Sequence, residues 1–440
     1  MTAWDRRALM GAGAAATLAA GARPAHASAP LKEGFALDRL ARINQLLARG
    51  AAQQTFAGAV WRVNRKGREV ASGVVGLADL KSAAPMQADS IFRIFSLTKL
   101  VTVVAALSFY EEGAFDLHDP IEKWLPEFAA PKVQIPAVTK DVAPTLRPAI
   151  RPITVLDLMR HTAGLSYAGP VDEKGVSLYS QLGLDKPDRS LAEWVKVLAS
   201  LPLVRDPGTG FDYGFGLDVV GRLIEIWGDA PLDQVFQTRI FGPLGMVDTG
   251  FFVPPEKAAR VTTLYSPSRL GQLLPDGTRD FGGPVFASPL PYQTLWRQDP
   301  KMKFGGAGLL STLGDYSKFV EMLRQGGGLA TRSGEVRILS PLTVALMHTD
   351  LLGNLPYRNG DIWSGYGFGL GVEVDHGPAE AANPVPAGAY DWGGAASTWM
   401  WIDPKEEVTA LLWLQVIPSS PRWCQLFKEI VYGALLAPNG

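Results

Sequence analysis

Apolar residues alternate at both ends of this chain and recur at helical spacing between them, and no other feature restricts the fold as much. Residues 57–63 and 69–75 read as strands joined by a turn at Asn64-Arg65-Lys66-Gly67. Far downstream, 366–374, 397–402 and 408–416 read as strands again, the last two joined across Asp403-Pro404-Lys405-Glu406. Helical spacing links Leu37, Leu40, Ile43 and Leu47, with Gly50 as the expected stop. From Ser96 onward Leu97, Leu100, Val101, Val104 and Leu107 mark a second helix; Leu217, Val220, Ile224 and Trp227 mark a third. Trp423, Leu426, Phe427 and Ile430 mark a closing one.

Strands first and last, helices between: the economical solution is one antiparallel sheet assembled from both ends, covered by the first and last helices. The expected class is therefore α+β, with an α/β domain split over residues 30–115 and 290–440 and a mostly helical domain inserted at 116–289. A cleft between two such units is where a small-molecule site is expected. The stretch 266–304 is irregular, rich in Pro, Gly and aromatics, and too long for a plain connector, so it is expected to line something.

Composition removes several functions. At 440 residues and 47% hydrophobic the chain has ample core without staples, and its single cysteine, Cys424, can form no internal disulfide. With 42 basic against 43 acidic residues there is no reason to expect nucleic acid as a partner. The five histidines form neither an H-E-x-x-H pair nor a Cys/His cluster, so no metal and no cofactor is expected. Residues 1–29 read as a secretory signal peptide: Arg6-Arg7, an apolar stretch to Ala20, then Ala25-His26-Ala27, with cleavage expected after Ala27. The paired arginines resemble a twin-arginine export signal, and the apolar stretch of about 13 residues falls short of a spanning helix. The expectation is a bacterial exported protein, periplasmic or extracellular, without a stable membrane anchor.

Ser96-Leu97-Thr98-Lys99 is the one S-x-x-K in the chain. Ser96 opens an apolar-periodic helix, at the positive end of its dipole, and Lys99 three residues on falls on the same face. A lysine against an apolar wall loses basicity and can help remove the serine proton. By itself the pattern fits equally a helix-capping serine and a solvated lysine.

The surrounding residues are more specific. Phe92-Arg93-Ile94-Phe95 leads into Ser96, with Glu112-Gly113 after it, and Ile153 to Leu165 contains His161-Thr162-Ala163-Gly164-Leu165. Pro207-Gly208 leads to Tyr213, and Phe241-Gly242-Pro243-Leu244-Gly245-Met246, Gly305-Gly306-Ala307-Gly308 and Trp392-Gly393-Gly394-Ala395 follow. In this order and spacing the motifs resemble the serine β-lactamase and penicillin-binding protein superfamily, and within it the class C branch and the family VIII carboxylesterases. The resemblance covers nearly everything after residue 36. It implies a β-lactamase/DD-peptidase-like fold and gives Tyr213 the part of a second base, whose phenolate is favoured by the neighbouring lysine. It also implies an oxyanion hole formed by the N–H groups of Ser96 and Ala395.

Two departures bear on substrate. Tyr213-Gly214-Phe215 stands where the family has Y-x-N, and Phe215 offers no amide to hold a peptide or lactam carbonyl. Trp392-Gly393-Gly394 stands where β-lactamases have K-T-G, removing a cation that attracts a substrate carboxylate and favouring neutral acyl groups. His161 is implied to be structural. The reading is a serine carboxylesterase acting through an acyl-enzyme on Ser96, with Lys99 and Tyr213 sharing the proton work and Trp392, Gly393, Gly394 and Phe215 binding the ester substrate. β-Lactamase or D-alanyl peptidase-like hydrolysis and acyl transfer stay open as alternatives, as does a non-catalytic ligand-binding homologue.

Overall fold

The structure, a computed structural model, describes residues 31–439 apart from 136–143, 172–176, 183–187, 270–271, 274–278, 281, 332–333 and 358–364. The signal peptide expected at 1–29 lies outside the described residues. In chain order the elements that build the frame are α1 (Arg42–Ala52), β1 (Gly58–Arg65), β2 (Arg68–Asp79), β3 (Ala84–Pro85) and α2 (Thr98–Glu111), then α3 (Gly216–Gly228) and α4 (Leu313–Arg324). They continue with β4 (Tyr366–Phe368), β5 (Glu373–Asp375), β6 (Tyr390–Gly394), β7 (Thr398–Asp403), β8 (Val408–Trp413) and α5 (Pro421–Ala434).

The eight strands form one antiparallel sheet in the order β4-β5-β6-β7-β8-β1-β2-β3, so the last strand in sequence pairs with the first, from Val408 beside Arg65 to Trp413 beside Val60. The period-two alternation explains how this sheet is held. On β1 and β8, Val60, Leu411 and Trp413 point to one core, while Ala59, Trp61, Val63, Val408, Ala410 and Leu412 point to the other. The second core is closed by α1 through Ile43 and Leu47 and by α5 through Phe427 and Val431. The two terminal helices thus cover one face, and α2, α3 and α4 contribute to the core on the other. Between β1 and β2 the turn is only Lys66–Gly67, both at positive φ, the geometry of a tight hairpin.

One strand reading needs correction. Residues 366–374 are not a continuous strand but a hairpin, β4 paired with β5 from Tyr366 beside Asp375 to Phe368 beside Glu373. Gly367, Gly369 and Gly371 alternate with apolar residues there, so the period of two runs straight through the turn and hides it. Gly371 takes φ +74° at the reversal.

Helix α2 sits at the centre of the molecule. It is mostly apolar and buried from Thr98 to Phe109, as a helix wrapped by other elements must be. A short ladder, Ile91–Arg93 against Leu310–Thr312, lies just before it and ties the chain entering α2 to the segment that follows residues 305–309. No helix among the described residues is long and apolar enough to cross a membrane.

Phe427 joins the terminal helix to the sheet, its ring edge-on to Trp61 and Trp401. Phe427→Ala should cost about 3–5 kcal/mol in chemical denaturation, the usual cost of deleting a buried aromatic. Reactivity at Ser96 in the fraction that stays folded should not change.

Candidate active site

Ser96 lies in a single 3-10 turn, Phe95–Leu97, immediately before α2. Phe95 holds φ +43°, a region that disfavours a bulky residue and costs on the order of 1–3 kcal/mol. The surroundings enforce it: Ile94 N–H donates to the Leu309 carbonyl, the Tyr316 hydroxyl donates to the Leu97 carbonyl at 2.8 Å, and the Phe95 ring meets Tyr292 edge-on. The turn aims the Ser96 side chain at a cavity and leaves it 9% exposed.

Two side chains converge on that hydroxyl. The Tyr213 phenol donates to Ser96 Oγ at 2.7 Å, and Lys99 Nζ donates to it at 3.2 Å. Lys99 has no exposed surface; it also donates to the Gly306 carbonyl at 2.7 Å and to the Tyr167 hydroxyl at 3.0 Å. Burial pulls the ammonium pKa down, while Tyr167 and Tyr213, where ionised, and the Asp218 carboxylate pull it up, and the net shift is upward. Lys99 is therefore a cation in the resting site. Its Nζ stands 4.8 Å from the centre of the Tyr213 ring.

Tyr213 and Tyr167 are held side by side by local backbone pairing. Tyr167 N–H donates to the Tyr213 carbonyl, and Phe215 N–H donates to the Leu165 carbonyl. Gly214 is required for this approach, since a Cβ there would run into the Leu165 carbonyl. Tyr167 is 39% exposed, yet its hydroxyl is turned inward against Lys99 and, kept from water, is raised above the ordinary phenol value. Tyr167 was not among the residues singled out by sequence. Its partner is a lysine 68 positions away, and no local pattern marks it.

The cavity beside Ser96 has a volume of about 410 Å³ and is walled mainly by apolar and aromatic side chains. Phe95, Phe215 and Phe251 form part of the wall, and Tyr292, Trp296, Met302 and Phe304 from the irregular stretch expected to line something supply much of the rest. Ala395, the residue after β6, is exposed at the cavity. Gly394 brings it there: a Cβ on Gly394 would strike the Ile94 carbonyl, two residues before Ser96.

Other expected substrate contacts sit elsewhere. Trp392 is 5% exposed and lies behind Tyr213, with ring centres 5.3 Å apart, and it faces Phe368 on its other side. Neither it nor Gly393 nor Gly394 lines the cavity; Gly393 lies against the Trp399 ring. The indole backs the tyrosine, because β6 alternates and Trp392 points into the core. Phe215 does line the cavity, edge-on to Tyr167 and Trp194. His161 is buried at φ +58°, accepts from Gly214 N–H at 3.4 Å, and packs 4.7 Å from the Tyr213 ring. It supports the tyrosine loop.

The model of the Beta-lactamase family matches residues 43–429. The chain belongs to that family. Protein Rv1367c of Mycobacterium tuberculosis is 37% identical over 375 residues, covering 83% of this chain and 87% of that one. Esterase EstB of Burkholderia gladioli is 30% identical over 395 residues, covering 86% and 91%. The solved structure of EstCE1, described as a hydrolase with promiscuous acyltransferase activity, superposes with a TM-score of 0.70 at 27% identity, covering 90% of this chain and 99% of that one. The β-lactamase-like α+β fold is thereby established, and esterases and acyltransferases stand among the relatives.

The geometry makes Tyr167 a specific target. Tyr167→Phe keeps the ring against Phe215 and removes one hydrogen bond to a buried cation, about 1.5–3 kcal/mol. The rate at which a fluorophosphonate labels Ser96 should fall roughly tenfold to a hundredfold, with the melting temperature within a few degrees of wild type.

Proposed function

We propose that this protein is a serine hydrolase that cleaves carboxylic esters through an acyl-enzyme on Ser96. The observation that carries the reading is the Ser96 hydroxyl, accepting from both Tyr213 and Lys99 at the edge of an apolar cavity. A serine hydroxyl is a weak nucleophile unless a base takes its proton as it attacks. Lys99, pinned as a cation by its neighbours, is poorly placed to be that base. Tyr213 is well placed: its phenolic oxygen lies 2.7 Å from Oγ, and once its own proton has passed to solvent it accepts the Ser96 proton while Oγ bonds to the ester carbonyl carbon. The tetrahedral oxyanion is taken by the backbone N–H groups of Ser96 and Ala395. Tyr213 then returns the proton to the departing alcohol. Water repeats the sequence in reverse, giving its proton to Tyr213 as its oxygen attacks the acyl carbon, and Ser96 leaves with that proton.

The cavity supports a neutral, apolar acyl group. Among the described residues its wall presents no lysine or arginine to a carboxylate beyond Arg93, whose N–H groups are taken by the Tyr292, Thr262 and Gln293 carbonyls and by Gln415. Phe215 supplies no amide for a lactam or peptide carbonyl. Acyl transfer to an alcohol uses the same intermediate, and EstCE1, a structural neighbour, is described as having that activity beside hydrolysis.

Ser96→Ala should abolish hydrolysis of a short-chain p-nitrophenyl ester to background, a loss on the order of a thousandfold or more. The wild type should turn that ester over far faster than a chromogenic cephalosporin. Cephalosporin turnover about a hundredfold above ester turnover would overturn the esterase reading, and ester hydrolysis surviving in Ser96→Ala would overturn the mechanism.

A further inference from the structure

Lys99 presents a problem that its direct partners do not solve. A buried ammonium is costly unless an anion compensates it, and Ser96 Oγ, the Tyr167 hydroxyl and the Gly306 carbonyl are all neutral acceptors. The phenols of Tyr167 and Tyr213 contribute negative charge only when ionised. One carboxylate faces this cluster from inside the protein. Asp218 lies in the first turn of α3, is 2% exposed, and touches the same cavity as Ser96. It is not in contact with Lys99. Its Oδ1 accepts from the Gly306 N–H at 2.8 Å, and the carbonyl of that same residue accepts from Lys99 Nζ at 2.7 Å.

The two charges are thus joined through the flanking peptide groups of a single glycine. The Gly306 side-chain position is closed to anything larger, since a Cβ would stand 2.6 Å and 2.9 Å from the two Asp218 carboxylate oxygens. The helix dipole of α3 favours an anion at this turn. Tyr213 precedes Asp218 by five residues, so one short segment delivers the phenol to Ser96 and the carboxylate to the lysine relay.

We propose that Asp218 is a positioning residue: acting through Gly306, it fixes the Lys99 ammonium toward Ser96 Oγ and keeps it charged. The inference rests on the reading of Ser96 as the nucleophile and adds what sustains the cation beside it. Burial raises the Asp218 carboxyl to about 6, against the opposing pull of Lys99 and the Gly306 N–H. The charged and titratable groups facing it are Lys99, Tyr167 and Tyr213. The sign follows: as pH falls through about 6 the anion is lost and the relay weakens, so Ser96 reactivity falls on the acid side.

The test is the second-order rate of Ser96 labelling by a small fluorophosphonate, followed by intact mass from about pH 5 to about pH 10 in wild type, Asp218→Asn and Gly306→Ala. Wild type should show an inflection near 6. Asp218→Asn should lose that inflection and label about tenfold more slowly at neutral pH. Gly306→Ala, whose Cβ displaces the carboxylate, should shift the profile the same way and decides the matter if Asp218→Asn does not fold. An Asp218→Asn profile scaled uniformly without change of shape would make the residue a packing group and overturn the proposal. So would a wild-type profile flat across the acid range, with no variant needed. Failure of wild-type Ser96 to label at all removes the hydrolase reading and this inference together, whereas a labelled wild type with an unmoved Asp218→Asn profile removes only the inference.

Discussion

A lysine ammonium with no exposed surface stands where four pieces of chain meet, and the site depends on it. Lys99 belongs to the first turn of α2, its hydrogen bonds reach Ser96 before that helix, Tyr167 in the loop after Leu165, and Gly306 in the glycine-rich segment, and its charge faces the ring of Tyr213. Each contact is individually modest, but the cation has no water to fall back on. Losing any one of them leaves a buried charge short of a partner, which is costlier than the bond itself. A single buried charge therefore forces segments far apart in sequence into one geometry.

The fold makes that convergence possible by joining the two ends of the chain. Because β8 pairs with β1, the strand that ends at Gly394 and the turn that carries Ser96 belong to one frame. The closest approach is Gly394 against the Ile94 carbonyl, which sets Ala395 at the cavity beside the serine. Helix α2, buried along most of its length, carries Lys99 in its first turn, and the terminal helices cover the opposite face of the sheet. Stability and chemistry are separated in space: Phe427, Trp61 and Trp401 belong to one core, and the Ser96 cluster adjoins the other.

What could be read beforehand was whatever has a period or a compact motif. Strand alternation located β1, β2, β7 and β8, and it misled only at 366–374, where glycines kept the alternation going through a reversal. Ser96, Lys99 and Tyr213 carry local signatures, and the structure brings the last two within hydrogen-bonding reach of the Ser96 oxygen. Tyr167 and Asp218 carry none, because one finds its partner across tens of residues and the other acts through a peptide group. Trp392 shows the opposite difficulty. Its motif was plain, but only the register of β6 determines that the indole backs Tyr213 instead of facing the cavity.

The central claim is a covalent one: during ester turnover the acyl group rests on the oxygen that Tyr213 and Lys99 both address. Rapid acid quenching of the enzyme during turnover of a slowly hydrolysed ester, followed by intact-mass and peptide mass spectrometry, tests it most directly. The account predicts a mass increase equal to the acyl group, located on the peptide bearing Ser96 and decaying once substrate is exhausted. Steady turnover with no adduct on that peptide, or with the acyl group found on another residue, would contradict it.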